Sequence, residues 1–125
     1  MVIDTCILID FLRAKDKTKT ELFKVSEIGN LCISAVTLYE LYMGATSDSK
    51  MNDVKLLTED LIVLPFDDEV SKKAAEIYHH LKSIHHLIEF RDIFIAATCI
   101  VNELPIKTLN VKHFCNIKDL KIFKN

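Results

Sequence analysis

Val2-Ile3-Asp4-Thr5-Cys6-Ile7-Leu8-Ile9-Asp10-Phe11-Leu12 changes its hydrophobic period part-way along. Val2-Ile3 is a short β-branched run that reads as a strand seed. From Cys6 to about Ala14 the apolar residues Ile7, Leu8, Phe11 and Leu12 fall at helical spacing. Asp4 stands at the junction, where a short acid ends a strand and is suited to cap a helix. A strand feeding an amphipathic helix is the first half of a βαβ unit, and the rest of the chain repeats the pattern.

Working outward, Thr18-Lys19-Thr20-Glu21 has the form of a capping box and predicts a second helix, with Gly29-Asn30 as its stop. Leu31–Ser34 reads as a strand, after which Ser34 caps a helix running to Gly44. Met51 to Asp60 is amphipathic, Leu61–Leu64 is a strand ended by Pro65, and Asp67 caps a long helix to about Ser83. Ile88 to Glu103 is a helix, Ile106–Leu109 a strand, Val111–Asn116 a helical turn and Leu120–Phe123 a final strand. Strands alternating with helices predict an α/β sandwich with a mostly parallel central sheet. Ligands in such sheets bind beyond the carboxyl ends of the strands, where Asp4, Ser34 and Leu109-Asn110 fall.

The 125 residues suit one domain, 1–125, and half are hydrophobic, enough for a core without covalent staples. A formal net charge of -2 gives no global basic field, so any nucleic-acid partner must be met by local cations. The four cysteines form no CxxC pair and lie in or beside apolar stretches, which predicts reduced thiols and neither a disulfide scaffold nor a zinc site. The first residues lack a basic leader, and no apolar run is long enough to span a bilayer. The expectation is a cytoplasmic protein with no membrane partner.

Three acids stand where a surface acid should not. Asp4 ends the first strand, and Glu40 lies in a helix with Val36, Thr37, Met43 and Gly44 one turn away. Asp92 opens the run Ile93–Val101, and a helix that is apolar all round is buried. Each has a plain structural alternative: an N-cap, an exposed helix glutamate, and an acid favoured by the helix dipole. Taken together, acids converging at one sheet edge repel unless a cation lies among them. An all-oxygen set without His or Cys suits Mg²⁺ or Mn²⁺, which generates hydroxide and offsets charge at a phosphoryl centre.

Four stretches carry a resemblance: Val2-Ile3-Asp4-Thr5 with the apolar helix after it, Ile33–Gly44 around Glu40, Arg91–Ala97 around Asp92, and Leu104–Phe114 around Asn110. In that order they resemble the four motifs of PIN-domain ribonuclease toxins of VapC type, over nearly the whole chain. The resemblance implies a PIN-like three-layer α/β/α sandwich, divalent metal, RNA hydrolysis, a neutralising antitoxin and a homodimer. By position it implies Asp4, Glu40 and Asp92 as metal-binding carboxylates. Asn110 stands where relatives often have a fourth acid, able to hold a water or a substrate oxygen but adding no charge. His113 replaces a frequent Asp, and Glu89 a frequent Gly, three residues before Asp92.

Thr5, Thr108, Glu89, Lys15 and His113 are the candidate substrate contacts. Lys15 lies in the basic stretch Arg13–Lys19, which is either a solvated loop or a phosphate-positioning segment. His79-His80 and His85-His86 lack metal-site spacing and read as a polar helix terminus. Apolar positions in Leu22–Ile28 and Val54–Leu61 read as core, part of it a groove for the antitoxin or a dimer mate. Two rival readings stay open: a non-catalytic PIN-like module binding RNA or protein, and a receiver-type domain phosphorylated on Asp4. The second lacks another Asp beside Asp4.

Overall fold

A computed structural model describes residues 1–124. Four strands, β1 (Val2–Ile3), β2 (Cys32–Ser34), β3 (Ile62–Leu64) and β4 (Ile106–Lys107), form one sheet in the order β3-β2-β1-β4. Every pairing is parallel, with Val2 opposite Cys32 and Ile106, and Cys32 opposite Ile62. The chain moves outward from β1 to β3 and then returns to the other side of β1 for β4. The direction of winding therefore reverses between β1 and β4, which is where such sheets bind ligands.

Among the described residues seven helices cover the sheet: α1 (Thr5–Arg13), α2 (Glu21–Ser26), α3 (Ala35–Gly44), α4 (Asp48–Thr58), α5 (Asp68–Ser83), α6 (Phe90–Val101) and α7 (Val111–Phe114). Alternation along each strand divides the core in two, because successive side chains point to opposite faces. Ile3 and Ile33 pack with Ile7, Leu8, Leu22, Val25, Leu41 and Val54 of α1–α4. Val2 and Cys32 pack with Val70, Leu81, Ile93, Ile95 and Phe114 of α5–α7. The result is the expected α/β/α sandwich, and Ile93 and Ile95–Cys99 of α6 are buried as their unbroken apolarity requires.

Local signals place most helix starts. Asp4, Ser34 and Asp67 accept from Thr5, Val36 and Val70 backbone N–H groups at the heads of α1, α3 and α5. The expected capping box at Thr18 is corrected. Asp16 caps a 3₁₀ turn over Lys17–Lys19 and takes the Thr18 hydroxyl, so Thr20 caps α2 by accepting from Phe23 N. Ser47 starts α4 at Asp48, three residues before the apolar period at Met51 becomes legible. The expected final strand Leu120–Phe123 reduces to a single parallel bridge between Ile122 and Ile106. With β4 only two residues long, there is little edge left to pair.

All four cysteines are free. Among the described residues no helix is long and apolar enough to cross a membrane. The histidine pairs near the end of α5 are exposed, as a solvated terminus should be.

Candidate active site

Asp4 leaves the carboxyl end of β1 only 3% exposed, and its charge is met by short donors. Oδ1 accepts from Thr5 N at 2.8 Å, and Oδ2 accepts from the Thr108 hydroxyl at 2.7 Å and the Cys6 thiol at 3.2 Å. Thr108 follows β4, so this bond closes the point where the winding reverses. Thr108 Oγ1 also accepts from Asn110 N at 2.9 Å. Burial and the Asp4 charge push the Cys6 thiol up to about 11, so it stays a protonated donor at neutral pH.

Thr5 links this carboxylate to the next. Its hydroxyl donates to Glu40 Oε1 at 2.9 Å and lies 3.0 Å from the Thr37 hydroxyl, one turn before Glu40 on α3. A hydroxyl has one proton to give and a carboxylate can only accept, so Thr37 donates to Thr5 in turn. The other Glu40 oxygen, Oε2, faces Arg91 Nη1 at 3.3 Å, while Arg91 Nη2 holds Glu89 Oε2 at 2.6 Å.

Asp92, in the first turn of α6, is half-buried, and its Oδ2 lies 3.2 Å from His113 Nδ1 of α7. Burial and then the charge of Asp4 hold its carboxyl above the usual carboxylate range, with His113 pulling the other way. Asp92 and Asp4 therefore share one field, although they lie far apart in the chain.

The fold thus draws together Asp4, Thr5, Glu40, Asp92, Thr108 and His113, with Glu89 joined through Arg91. Asn110 heads α7 without a side-chain cap bond and is exposed, so its contact with Thr108 is made by backbone alone. Lys15 is exposed just beyond the end of α1. Its neighbour Lys17 donates to Phe11 O at 2.6 Å and Leu12 O at 2.9 Å, so part of the basic stretch closes the α1 C-terminus. Sequence reasoning assigned no role to Cys6, Thr37 or Arg91. Thr37 stands at i−3 from Glu40, a spacing that puts both on one helix face and was open to reading.

The PIN domain profile matches residues 1–119. The chain belongs to the PIN domain family.

Among relatives of this PIN domain, Ribonuclease VapC1 of Methanocaldococcus jannaschii is 29% identical over 125 residues, spanning 98% of this chain and 86% of the relative. Ribonuclease VapC10 of Mycobacterium tuberculosis is 30% identical over 121 residues, spanning 97% and 90%. The solved structure of VapBC-1 from nontypeable Haemophilus influenzae matches with a TM-score of 0.84 at 27% identity, over 98% of this chain and 96% of that one.

The donors of the PIN site suit a hard divalent cation in kind, being carboxylate oxygens in a partly desolvated recess. Burial first, and the Asp4 charge second, raise the Asp92 carboxyl, a cost that a bound cation would relieve. Among the described residues, however, no three His, Cys, Asp or Glu side chains are gathered to hold an ion. Glu40 and Asp92 instead each face a side chain of this chain, Arg91 and His113. Beside Glu40 opens a cleft of about 300 Å³ between α1, α3 and α4, floored by Ile9, Leu12, Leu41, Ala45 and Val54.

Proposed function

We propose that this chain, as a single PIN domain over 1–125, is a metal-dependent endoribonuclease toxin of a toxin–antitoxin pair acting in the cytoplasm. Asp4, Glu40 and Asp92 hold Mg²⁺, with Mn²⁺ as a substitute, and Asn110 supports substrate or water at the rim. The observation that carries the reading is the junction at the β1–β4 reversal. There Thr108 and Thr5 tie Asp4 to Glu40, and the Asp4 charge reaches Asp92. The names of the relatives, ribonucleases in each case, support it.

A divalent cation held there supplies hydroxide at neutral pH and offsets phosphoryl charge. The chain's own part is orientation. Thr108 and Thr5 N fix both oxygens of Asp4, and Thr5 with Thr37 fixes Glu40, so the carboxylates are placed before RNA arrives. Water attacks phosphorus in line and the ribose 3′ oxygen leaves with a proton, giving 5′-phosphate and 3′-hydroxyl ends. The 2′-hydroxyl is a bystander.

The apolar lining of the cleft beside Glu40 supports it as the seat of the antitoxin, where a bound segment would cover Glu40. A homodimer is supported by the sheet edge, where Ile62 and Val63 of β3 are 54% and 40% exposed.

The test is cleavage of total RNA by purified protein with Mg²⁺, with Mn²⁺ and with excess chelator, followed by mapping of the new 5′ ends. Metal-dependent cuts bearing 5′-phosphate are expected. Full activity in chelator would remove the mechanism. RNA binding without cleavage under every metal would favour the rival binding module, which the Arg91–Glu40 and His113–Asp92 pairings keep in view.

A further inference from the structure

We propose that Arg91 is a counter-cation built into the acid site, holding Glu40 until a divalent cation binds and then passing to an RNA phosphate. The proposal rests on the reading of the carboxylates as a metal site. Glu40 offers two oxygens, and Thr5 takes Oε1 at 2.9 Å. Oε2 is the one Arg91 occupies, at 3.3 Å. A cation ligated through Oε2 therefore competes directly with the guanidinium.

The competition is weak by design of exposure. Arg91 is 50% exposed while the Glu40 side chain is 11% exposed. A cation reached by water contributes little to holding its partner, so Arg91 exchanges and does not block. Glu89 decides where the guanidinium goes. It holds the second Arg91 nitrogen at 2.6 Å from the N-cap position of α6, at the rim and 65% exposed. A guanidinium released from Glu40 stays tethered by Glu89 at the head of α6, with its Nη1 edge freed. That edge matches two oxygens of a phosphodiester, which the point charge of a lysine does not. The same residue thus limits self-repulsion among the acids before loading and becomes a substrate clamp after it.

The experiment titrates the metal-free full chain with Mn²⁺ in the absence of RNA, and separately measures kcat and KM for cleavage of a single-stranded RNA. Arg91→Gln is expected to tighten Mn²⁺ binding by roughly two- to fivefold, the range of an exposed ion pair, and to raise KM. Both shifts are required, and a merely structural residue would not move them in opposite directions. Arg91→Lys keeps the charge but loses the fork, so it should raise KM and tighten Mn²⁺ less than Arg91→Gln. Lys73→Gln removes one positive charge from a pair with Glu76 on α5 and should change neither value. Unchanged or weaker Mn²⁺ binding by Arg91→Gln would overturn the proposal and leave the metal site standing. So would Arg91→Lys indistinguishable from wild type in both measurements, or equal tightening by Lys73→Gln. A wild-type chain that binds no Mn²⁺ at all would overturn the proposal together with the reading beneath it.

Discussion

Thr108→Val probes the bond that closes the site. The substitution keeps the β-branch and nearly the same volume at a position only 6% exposed, so packing is preserved and one hydroxyl is lost. That hydroxyl donates to Asp4 Oδ2 at 2.7 Å, and Asp4 is 3% exposed. Its remaining donors are Thr5 N and the Cys6 thiol, and a thiol is a weak donor that replaces little. Removing one donor from a buried carboxylate costs about 1.5–3 kcal/mol. The orphaned Asn110 N–H adds little, because Asn110 is exposed and water can reach it. For a chain of this size the loss is a fall in Tm of roughly 5–15 °C. Urea unfolding of metal-free protein measures it directly: the midpoint should drop with the slope unchanged. Thr108→Ser keeps the donor and should recover most of the loss. A valine variant within ~0.5 kcal/mol of wild type would refute the argument, since that is the scatter of a neutral substitution. A serine variant as damaged as valine would refute it equally, because the missing methyl and not the hydrogen bond would then be the cause.

Asp92→Asn should move stability and activity in opposite directions. The folded Asp92 carboxyl titrates above its ordinary range, so metal-free wild type loses stability as pH rises through that range toward the folded value. The Asn variant escapes that loss, melts at or above wild type near neutral pH, and converges with it in acid. Its Mg²⁺-dependent cleavage should fall by at least ~10²-fold, since even partners of ligands cost 10–100-fold. A variant that melts earlier yet cuts at the normal rate would end the catalytic role of Asp92. Lys17→Met should cost about 1 kcal/mol in thermal melts, through two lost carbonyl contacts at the α1 C-terminus, and leave cleavage intact. A cleavage defect without instability would restore Lys17 to the substrate path. Expression of the chain alone should arrest growth, and co-expression of the neighbouring small gene should relieve it; abundant folded protein with normal growth counts against a toxin.

The change of hydrophobic period at Asp4, the caps Ser34 and Asp67, and the apolar run after Asp92 were all legible in the chain, because periodicity and capping are set by neighbours within one turn. They were enough for an α/β sandwich and for singling out three misplaced acids. The choice between Thr18 and Thr20 as a cap was not legible. Both have the right chemistry, and Asp16, which captures the Thr18 hydroxyl, tipped the balance. Nor was the fate of Leu120–Phe123, whose composition suits a strand but whose partner β4 is too short to receive one.

What tertiary structure alone decided is how each charge is met. That Thr108 serves Asp4 depends on β4 lying beside β1, and that Arg91 serves Glu40 depends on α6 meeting α3. Those partners are 104 and roughly half as many residues apart along the chain. A carboxylate's field and its hydrogen bonds act over a few ångströms of space, whatever the separation in sequence. The amino-acid order therefore names the acids, and only the folded sheet, with its reversal between β1 and β4, determines which donor or cation each one faces.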